Sequence, residues 1–166
     1  MKKIIYLSVL SLFVLTSKSF AQFEKTVGLG VHAGYGNKIE SVGGGAHLHY
    51  YYTNEFRFVP SFTYYLPKKG YNMWEVDADT HYIIPVSWLF SFYPIVGLHY
   101  SNWKFDASKA NEIELQGWTK HRIGANLGLG IQYDFGYKAR ISIEYKYQFI
   151  KDFSQSSFMA GIGFWI

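Results

Sequence analysis

The sequence feature that most constrains the fold is a two-residue alternation of apolar and polar side chains, which returns along most of the chain. It is clearest in ARISIEYKYQF, residues 139–149, where odd-numbered residues are apolar or aromatic and even-numbered residues are polar or charged. Successive side chains of a β-strand point to opposite faces, whereas a helix repeats every ~3.6 residues. The segment therefore predicts a strand with one apolar face and one charged face.

Eight segments show this pattern, at 27–35, 42–52, 55–64, 74–84, 90–101, 122–133, 139–149 and 158–166. Most approach the roughly 9–11 residues that a tilted strand needs to cross a bilayer. Short connections at 53–54, 85–88 and 134–137 alternate with longer or more polar ones at 36–41, 67–73, 102–121 and 151–157. This arrangement predicts an all-β fold, an eight-stranded antiparallel up-and-down transmembrane β-barrel.

The orientation of the strands decides between a soluble barrel and a membrane barrel. The apolar face carries more rings than the interior of an eight-stranded barrel can hold. The opposite face carries most of the 16 glycines together with charges of both signs. Glycine suits a crowded interior, and opposite charges pair across a narrow lumen. We therefore expect aromatic residues to face lipid and a lumen filled by side chains, with a local bulge or kink at Pro60 and at Pro94.

The N-terminal segment predicts export. Residues 1–21 combine Lys2 and Lys3, an apolar run at 4–16 and small residues before a cleavage site, which is typical of a secretory signal peptide. The barrel domain then covers 22–166. Its 13 basic and 12 acidic residues, counted after removal of Lys2, Lys3 and Lys18, nearly balance, so no nucleic-acid partner is expected. The chain has no cysteine, which excludes a thiolate metal site.

Polar residues on the inward parity form the candidate luminal site. The expected network consists of Arg57, Glu75, Asp77, Asp79, Arg122, Arg140, Glu144 and Lys146. The acidic ladder at 75, 77 and 79 is expected to pair with Arg57 and other basic residues, and not to act in acid–base catalysis. His32, His47 and His49 are weak candidates for a metal site. The preferred interpretation is that they are hydrogen-bonded histidines of the lumen. No cofactor is expected.

Three stretches resemble a known group: WEVDADTHYIIP at 74–85, FYPIVGLHYSNW at 92–103 and the closing FMAGIGFWI. They resemble the small outer-membrane β-barrel proteins of Gram-negative bacteria, the eight-stranded OmpA/OmpX/opacity-like superfamily, in the form common in Bacteroidetes. The resemblance implies an outer-membrane location after export through the Sec pathway. It also implies a structural or adhesion-like role without catalysis. Members usually end in an aromatic residue read by the barrel-assembly machinery, whereas this chain ends in Ile166, two residues after Phe164.

The expected partners follow from this placement. They are outer-membrane lipid and lipopolysaccharide, the barrel-assembly machinery, and an extracellular surface ligand contacted through loops 67–73 and 102–121. Exposed residues of these loops are candidates to contact surface polysaccharide: Lys68, Lys69, Tyr71, Lys104, Lys109 and Trp118.

Residues 99–102, HYSN, carry an alternative function. They resemble the His-x-Ser-Asn element of outer-membrane lipid A deacylases, which implies Ser101 as nucleophile, His99 as base and Asn102 as oxyanion donor. Glu112 or Glu114 would orient the base. Parity turns His99 and Ser101 towards the lumen, away from lipid, and therefore favours a non-enzymatic protein. A narrow diffusion pore is a further alternative.

Overall fold

Residues 25–107, 117–136 and 138–166 are described by a computed structural model. Their alternating segments form antiparallel strands: β1 Val27–Gly36, β2 Ser41–Tyr51, β3 Phe56–Lys68, β4 Tyr71–Tyr82, β5 Ile84–Pro85, β6 Phe90–Phe105, β7 Trp118–Phe135, β8 Ala139–Ile150 and β9 Gln155–Trp165. No helix in these described ranges is long and apolar enough to cross a bilayer. The predicted signal peptide, residues 1–21, lies outside them.

The strands close into a barrel through two ladders that join distant parts of the chain. β1 pairs with β9, and β4 pairs with β6. The two-residue β5 adds to β6 beyond the end of β4, so eight long strands make up the wall. Closure leaves no strand edge in hydrocarbon, where unpaired backbone groups cost several kcal/mol each. The predicted eight-stranded up-and-down barrel is confirmed.

The two faces of the wall point as the sequence predicts. On β8, the side chain of Ile141 is 42% exposed on the outer surface, whereas its neighbour Arg140 is 1% exposed in the lumen. On β7, Leu127 is 54% exposed, whereas Asn126 is buried. Rings and aliphatic side chains therefore form the outer surface, and ionised groups lie inside the closed wall.

Two predicted loops are shorter than expected. Only Lys69 and Gly70 separate β3 from β4, so the expected loop 67–73 is a tight hairpin. Both residues have positive φ, 51° and 80°, as in the two-residue turns that match strand twist. The segment 102–121 also begins and ends in strand, because β6 continues to Phe105 and β7 begins at Trp118. Polar residues there extend the ladder above the bilayer.

At Pro60 and Pro94, where a local bulge or kink is expected, the ladder is interrupted on one side without a change of register. Pro60 faces Ala78 and Pro94 faces Leu129 in register. On the other side of each proline, pairs are missing between His47–Ser61 and Tyr50–Phe58, and between His81–Ile95 and Ile84–Phe92. The register shift in β3 lies between Tyr65 and Lys68, a segment that contains Pro67. Near the end of a strand, fewer flanking pairs oppose the displacement.

Candidate functional site: the lumen and the extracellular mouth

The centre of the lumen holds a charged cluster, which we call the central network. The Nζ of Lys146, from β8, donates to Oδ2 of Asp77 at 2.6 Å and to Oδ2 of Asp79 at 3.0 Å. Asp77 also lies 2.7 Å from Nδ1 of His99, and Asp79 accepts a 2.8 Å hydrogen bond from Asn126. All five side chains are buried. Buried carboxylates require such partners, because an unpaired buried charge is costly.

Two members of the acidic ladder therefore pair with Lys146, one of the other basic residues expected beside Arg57, whereas Arg57 itself bonds elsewhere. Arg57 lies nearer the short-turn end of the barrel. Its Nη1 donates to Gln132 at 2.8 Å, and its Nη2 lies 2.7 Å from Nδ1 of His81. The third ladder residue, Glu75, accepts hydrogen bonds from Tyr65 and Gln148.

A second cluster, the turn-side network, surrounds Arg140. Its Nε donates to Asp134 at 2.5 Å and its Nη1 donates to the hydroxyl of Tyr51 at 2.6 Å. Its guanidinium carbon also lies 4.5 Å from the ring of Trp165, within cation–π range. Between the two networks, the hydroxyl of Tyr93 donates to Glu144 at 2.7 Å.

Arg122 differs from the other predicted network residues. It lies at the rim of the barrel, where it donates to Asp152 at 3.2 Å and to the carbonyl of Lys151. The reason is the length of β7: β8 ends at Ile150, opposite Gly124, so Arg122 extends beyond the top of its neighbour. This arginine holds the β8–β9 loop instead of filling the lumen.

Glycines make room for these long side chains. A Cβ added at Gly130 would overlap the ring of Tyr93, and one at Gly30 would overlap the imidazole of His47. The cavity that remains near the histidines measures about 20 Å³, enough for roughly one water molecule. The polar lumen is therefore filled by side chains.

The three candidate metal-binding histidines are packed against one another. Nδ1 of His32 lies 3.1 Å from Nδ1 of His47, and the rings of His47 and His49 stack at 4.5 Å. The Nε2 of His32 bonds to Thr63 at 2.9 Å. Across the described residues, no group of three or more His, Cys, Asp or Glu side chains is placed to hold a metal ion. The arrangement fits a hydrogen-bonded stack.

Apolar clusters lie on both sides of the polar centre. Towards the loop end, the buried cluster contains Ile39, Tyr65, Met73, Trp103, Ile150, Phe153 and Met159. Towards the turn end, it contains Tyr51, Ile83, Tyr93 and Ile95, with Trp165 packed against it. The central network therefore lies between two apolar clusters, and in such surroundings each of its charges interacts more strongly with its partner than in water.

The described residues of the lipid A deacylase alternative do not form a catalytic site. His99 faces Asp77, and no hydrogen bond joins it to Ser101 within the described residues. The Oγ of Ser101 accepts instead from Nε1 of Trp103, at 3.1 Å. Asn102 lies on the opposite, outer face, where its amide contacts His121 at 3.1 Å. Glu112 and Glu114 lie outside the described residues.

An aromatic platform closes the barrel at its loop end, formed by Tyr71, Phe105, Trp118 and Phe153. Tyr71 and Phe105 are cross-strand partners with ring centroids 4.8 Å apart, and the ring of Trp118 lies 6.0 Å from Phe105. The Nζ of Lys120 lies 4.7 Å from the ring of Trp118. Of these residues, Phe105, Lys120 and Phe153 were missing from the predicted surface set. The apolar–polar alternation that continues into 102–121 could have indicated Phe105 and Lys120.

Two lysines of the predicted surface set, Lys68 and Lys69, lie at the β3–β4 hairpin, and Lys104 lies on β6. Lys69 forms a 2.8 Å ion pair with Glu40, and Lys68 donates to the Glu40 carbonyl at 2.5 Å. The hydrogen bond from Lys69 lowers the pKa of the Glu40 carboxyl, and the same bond raises the pKa of Lys69. Both groups are exposed, so solvent screens the pair. Lys109 lies outside the described residues.

The outer face is apolar, the wall is closed and the lumen is charged, as expected for an outer-membrane barrel. The family model for the outer membrane protein beta-barrel domain matches residues 5–164. This chain belongs to that family. No curated protein sequence matches it significantly. As a member of the outer membrane protein beta-barrel family, it is an integral β-barrel of the outer membrane of a Gram-negative bacterium.

Solved structures similar to this family member share its fold. The N-terminal β-barrel domain of Pseudomonas aeruginosa OprF is 17% identical with a TM-score of 0.70, covering 88% of this chain and 100% of that one. Neisserial surface protein A is 14% identical with a TM-score of 0.66, covering 84% and 95%. Ail, the attachment invasion locus protein of Yersinia pestis, is 14% identical with a TM-score of 0.60, covering 85% and 97%. Identities this low establish the fold alone.

Proposed function

We propose that this outer-membrane barrel is a non-enzymatic surface-interaction protein with an adhesion-like role, whose extracellular mouth binds an anionic surface polysaccharide. The observation that carries the proposal is the aromatic platform with cations beside it. Short turns of such barrels face the periplasm and longer loops face outward, which supports a position of the platform at the cell surface.

The platform has the chemistry that an acidic sugar requires. Trp118 is half-buried and presents part of a flat ring on which the apolar face of a sugar can pack. Lys120 is exposed beside it, and the Arg122 guanidinium lies 5.5 Å from the ring of Phe153. Cations next to a ring favour sulfate or carboxylate groups, through hydrogen bonds strengthened by charge.

A complex of a similar barrel with a sulfated sugar supports the choice of an anionic polysaccharide as the ligand. Ail of Yersinia pestis has been crystallised in complex with the heparin analogue sucrose octasulfate, and that chain is 15% identical to this one with a TM-score of 0.59. The likeness concerns the fold, so the specific contacts proposed here depend on Trp118 and Lys120 of this chain.

The lumen supports a non-enzymatic role. His99 and Ser101 are 1% and 0% exposed, so neither reaches a lipid substrate. Apolar clusters at both ends also disfavour solute passage. In this proposal, residues 1–21 direct export through the Sec pathway, and the barrel-assembly machinery then inserts the chain among outer-membrane lipid and lipopolysaccharide.

Binding of the folded protein to heparin tests the proposal, with fully desulfated heparin as the matched ligand. Lys120→Gln and Trp118→Leu are each expected to weaken heparin binding about tenfold, which corresponds to roughly 1.4 kcal/mol. Binding should also weaken as salt increases. Titration of detergent-folded protein against labelled heparin gives the affinities.

The control is the double variant Lys25→Gln/Lys138→Gln, which removes two exposed lysines at the turn end. Its affinity should match the unmodified protein. Desulfated heparin, which keeps only its carboxylates, should bind more weakly than heparin. Full affinity in both mouth variants, or binding that does not weaken as salt increases, would refute the polysaccharide proposal.

A further inference from the structure

Arg122 lies beside the aromatic platform, and every nitrogen of its guanidinium is already bonded to the protein. Nε donates to the carbonyl of Lys151 at 3.2 Å, Nη2 donates to Asp152 at 3.2 Å, and Nη1 donates to the carbonyl of His121 at 3.1 Å. An arginine usually recognises a sulfate or carboxylate through paired donors of this fork. In Arg122 the fork holds protein groups instead. We call Arg122 and its two loop partners, Lys151 and Asp152, the rim clamp.

The rim clamp acts on the β8–β9 loop immediately before Phe153. The turn of this loop is closed by hydrogen bonds from the Phe153 amide and from the Ser154 hydroxyl to the carbonyl of Ile150, at 3.1 and 2.9 Å. Asp152 has a positive φ of 68°, a conformation that Asp and Asn adopt more readily than most residues. Arg122 therefore ties a tight turn to β7.

This turn places the ring of Phe153 inside the platform. The ring is 9% exposed, stacks on Trp103 at 4.7 Å and lies 5.8 Å from the ring of Trp118. Arg122 and Trp118 belong to the same strand and share its inward parity. The rim clamp therefore joins Phe153 to the strand that carries the ring proposed to pack on a sugar.

Lys120 differs from Arg122 because its ammonium is not committed to a protein anion. The side chain is exposed, and its Nζ lies 4.7 Å from the ring of Trp118 and 5.7 Å from the ring of Phe153. No ion pair involves Lys120 within the described ranges. Its charge is therefore available to a ligand, and its position beside two rings depends on Phe153 staying in the platform.

We propose that Arg122 is a positioning residue of the mouth site, which acts through the rim clamp to hold Phe153 beside Trp118 and Lys120. Lys120 is then the cation of the platform that contacts the ligand, and the platform binds one sulfate or carboxylate group at a time. The inference rests on the polysaccharide binding proposed above. A direct contact between Arg122 and the ligand is the alternative that the experiment distinguishes.

The effect of Asp152→Asn on heparin affinity differs in sign between the two roles of Arg122. If Arg122 contacted the ligand, its release from Asp152 would tighten binding. A positioning role predicts that loosening the turn weakens binding, by about threefold, the scale of a partly exposed ion pair. Asparagine accepts the positive φ, so the backbone is not strained. Glu40→Gln removes one negative charge from another ion pair at the same end of the barrel, and this matched control should not weaken binding.

The salt dependence of heparin binding gives a second distinction, because its slope counts the ionic contacts made with a polyanion. Lys120→Gln should lower the slope by about one. Arg122→Gln should weaken binding about threefold with the slope unchanged. In a Phe153→Leu background, which lacks the ring, Asp152→Asn should have no further effect, because residues that act through one another are not additive. Phe153→Tyr keeps a ring and should retain both the affinity and the effect of Asp152→Asn.

Hydrogen exchange of the folded protein without ligand tests the rim clamp by itself. The amide of Phe153 donates to Ile150, and its exchange should be about threefold faster in Asp152→Asn and in Arg122→Gln. Heat-modifiable gel migration first shows that each variant is folded. Unchanged exchange, tighter heparin binding by Asp152→Asn, or a slope lowered by about one in Arg122→Gln would each overturn the positioning role. Full affinity in the two mouth variants of the preceding test would refute polysaccharide binding instead, without altering the exchange result.

Discussion

The ammonium of Lys146 lies 2.6 Å from a carboxylate oxygen of Asp77, and the two residues belong to β8 and β4, strands that share no backbone ladder. The pair forms only when the barrel has closed, because 69 positions separate the residues along the chain. Lys146 also bonds to Asp79, so one cation stabilises two buried carboxylates.

Replacing Lys146 by methionine should strongly destabilise the barrel. The change leaves two buried carboxylates without their cation, and breaking a buried pair from one side costs about 3–5 kcal/mol. Urea unfolding, followed by heat-modifiable gel migration, measures the free energy of unfolding. Lys138→Met, at an exposed position, should have little effect. Adding Asp77→Asn and Asp79→Asn to Lys146→Met should recover part of the lost stability. A Lys146→Met variant as stable as the unmodified protein would contradict a stabilising role of the central network.

Two adjacent glycines should respond differently to alanine. A Cβ at Gly45 would overlap the backbone oxygen of Phe62 inside the wall, whereas one at Gly44, on the outer face, meets only a carbonyl oxygen at 3.6 Å. Gly45→Ala is expected to lower the free energy of unfolding by about 1–3 kcal/mol, the usual cost of overpacking. Gly44→Ala should be neutral. Equal effects in the same urea assay would argue against a crowded lumen.

The destabilisation caused by a lysine on the outer face of β7 should depend on how deep in the bilayer it lies. Leu127 faces lipid, and a lysine at the centre of the bilayer costs about 2–4 kcal/mol. Thr119 lies on the same face eight positions away, beyond the end of β8, where the cost falls to about 0–1 kcal/mol. Folding into vesicles measures both. A Thr119→Lys variant as damaged as Leu127→Lys would contradict the membrane boundaries inferred here.

Planar bilayers containing the purified protein should show no reproducible conductance steps. The polar centre is filled, and apolar clusters containing Trp103 and Tyr93 lie on either side of it. An ion would have to cross both clusters without replacement partners for its hydration shell. A known porin in the same apparatus provides the positive control, and steps of constant size from this protein would revive the diffusion-pore alternative.

Expression of the protein should leave the lipid A of the host unchanged. Ser101 is buried, and its hydroxyl accepts a hydrogen bond from Trp103 instead of contacting His99. Mass spectra of lipid A from cells with the unmodified protein, with Ser101→Ala and with empty vector should coincide. Loss of an acyl chain that depends on Ser101 would restore the hydrolase interpretation.

Sequence alone determined the strands and the direction of each face. The alternation of Arg140 and Ile141 is a local property, since the pleat of a strand turns successive side chains to opposite sides. The surplus of rings on one parity then assigned that face to lipid. The same reasoning placed Asp77, Asp79 and Lys146 inside the barrel.

Only the tertiary structure decided which of these groups meet. Pairing across a lumen depends on the stagger of the closed strands, which local periodicity does not encode; the ladder therefore pairs with Lys146, and Arg57 bonds to Gln132. Unequal strand heights likewise put Arg122 at the rim. Parity depends on the geometry of one strand, whereas partner choice depends on all eight long strands together.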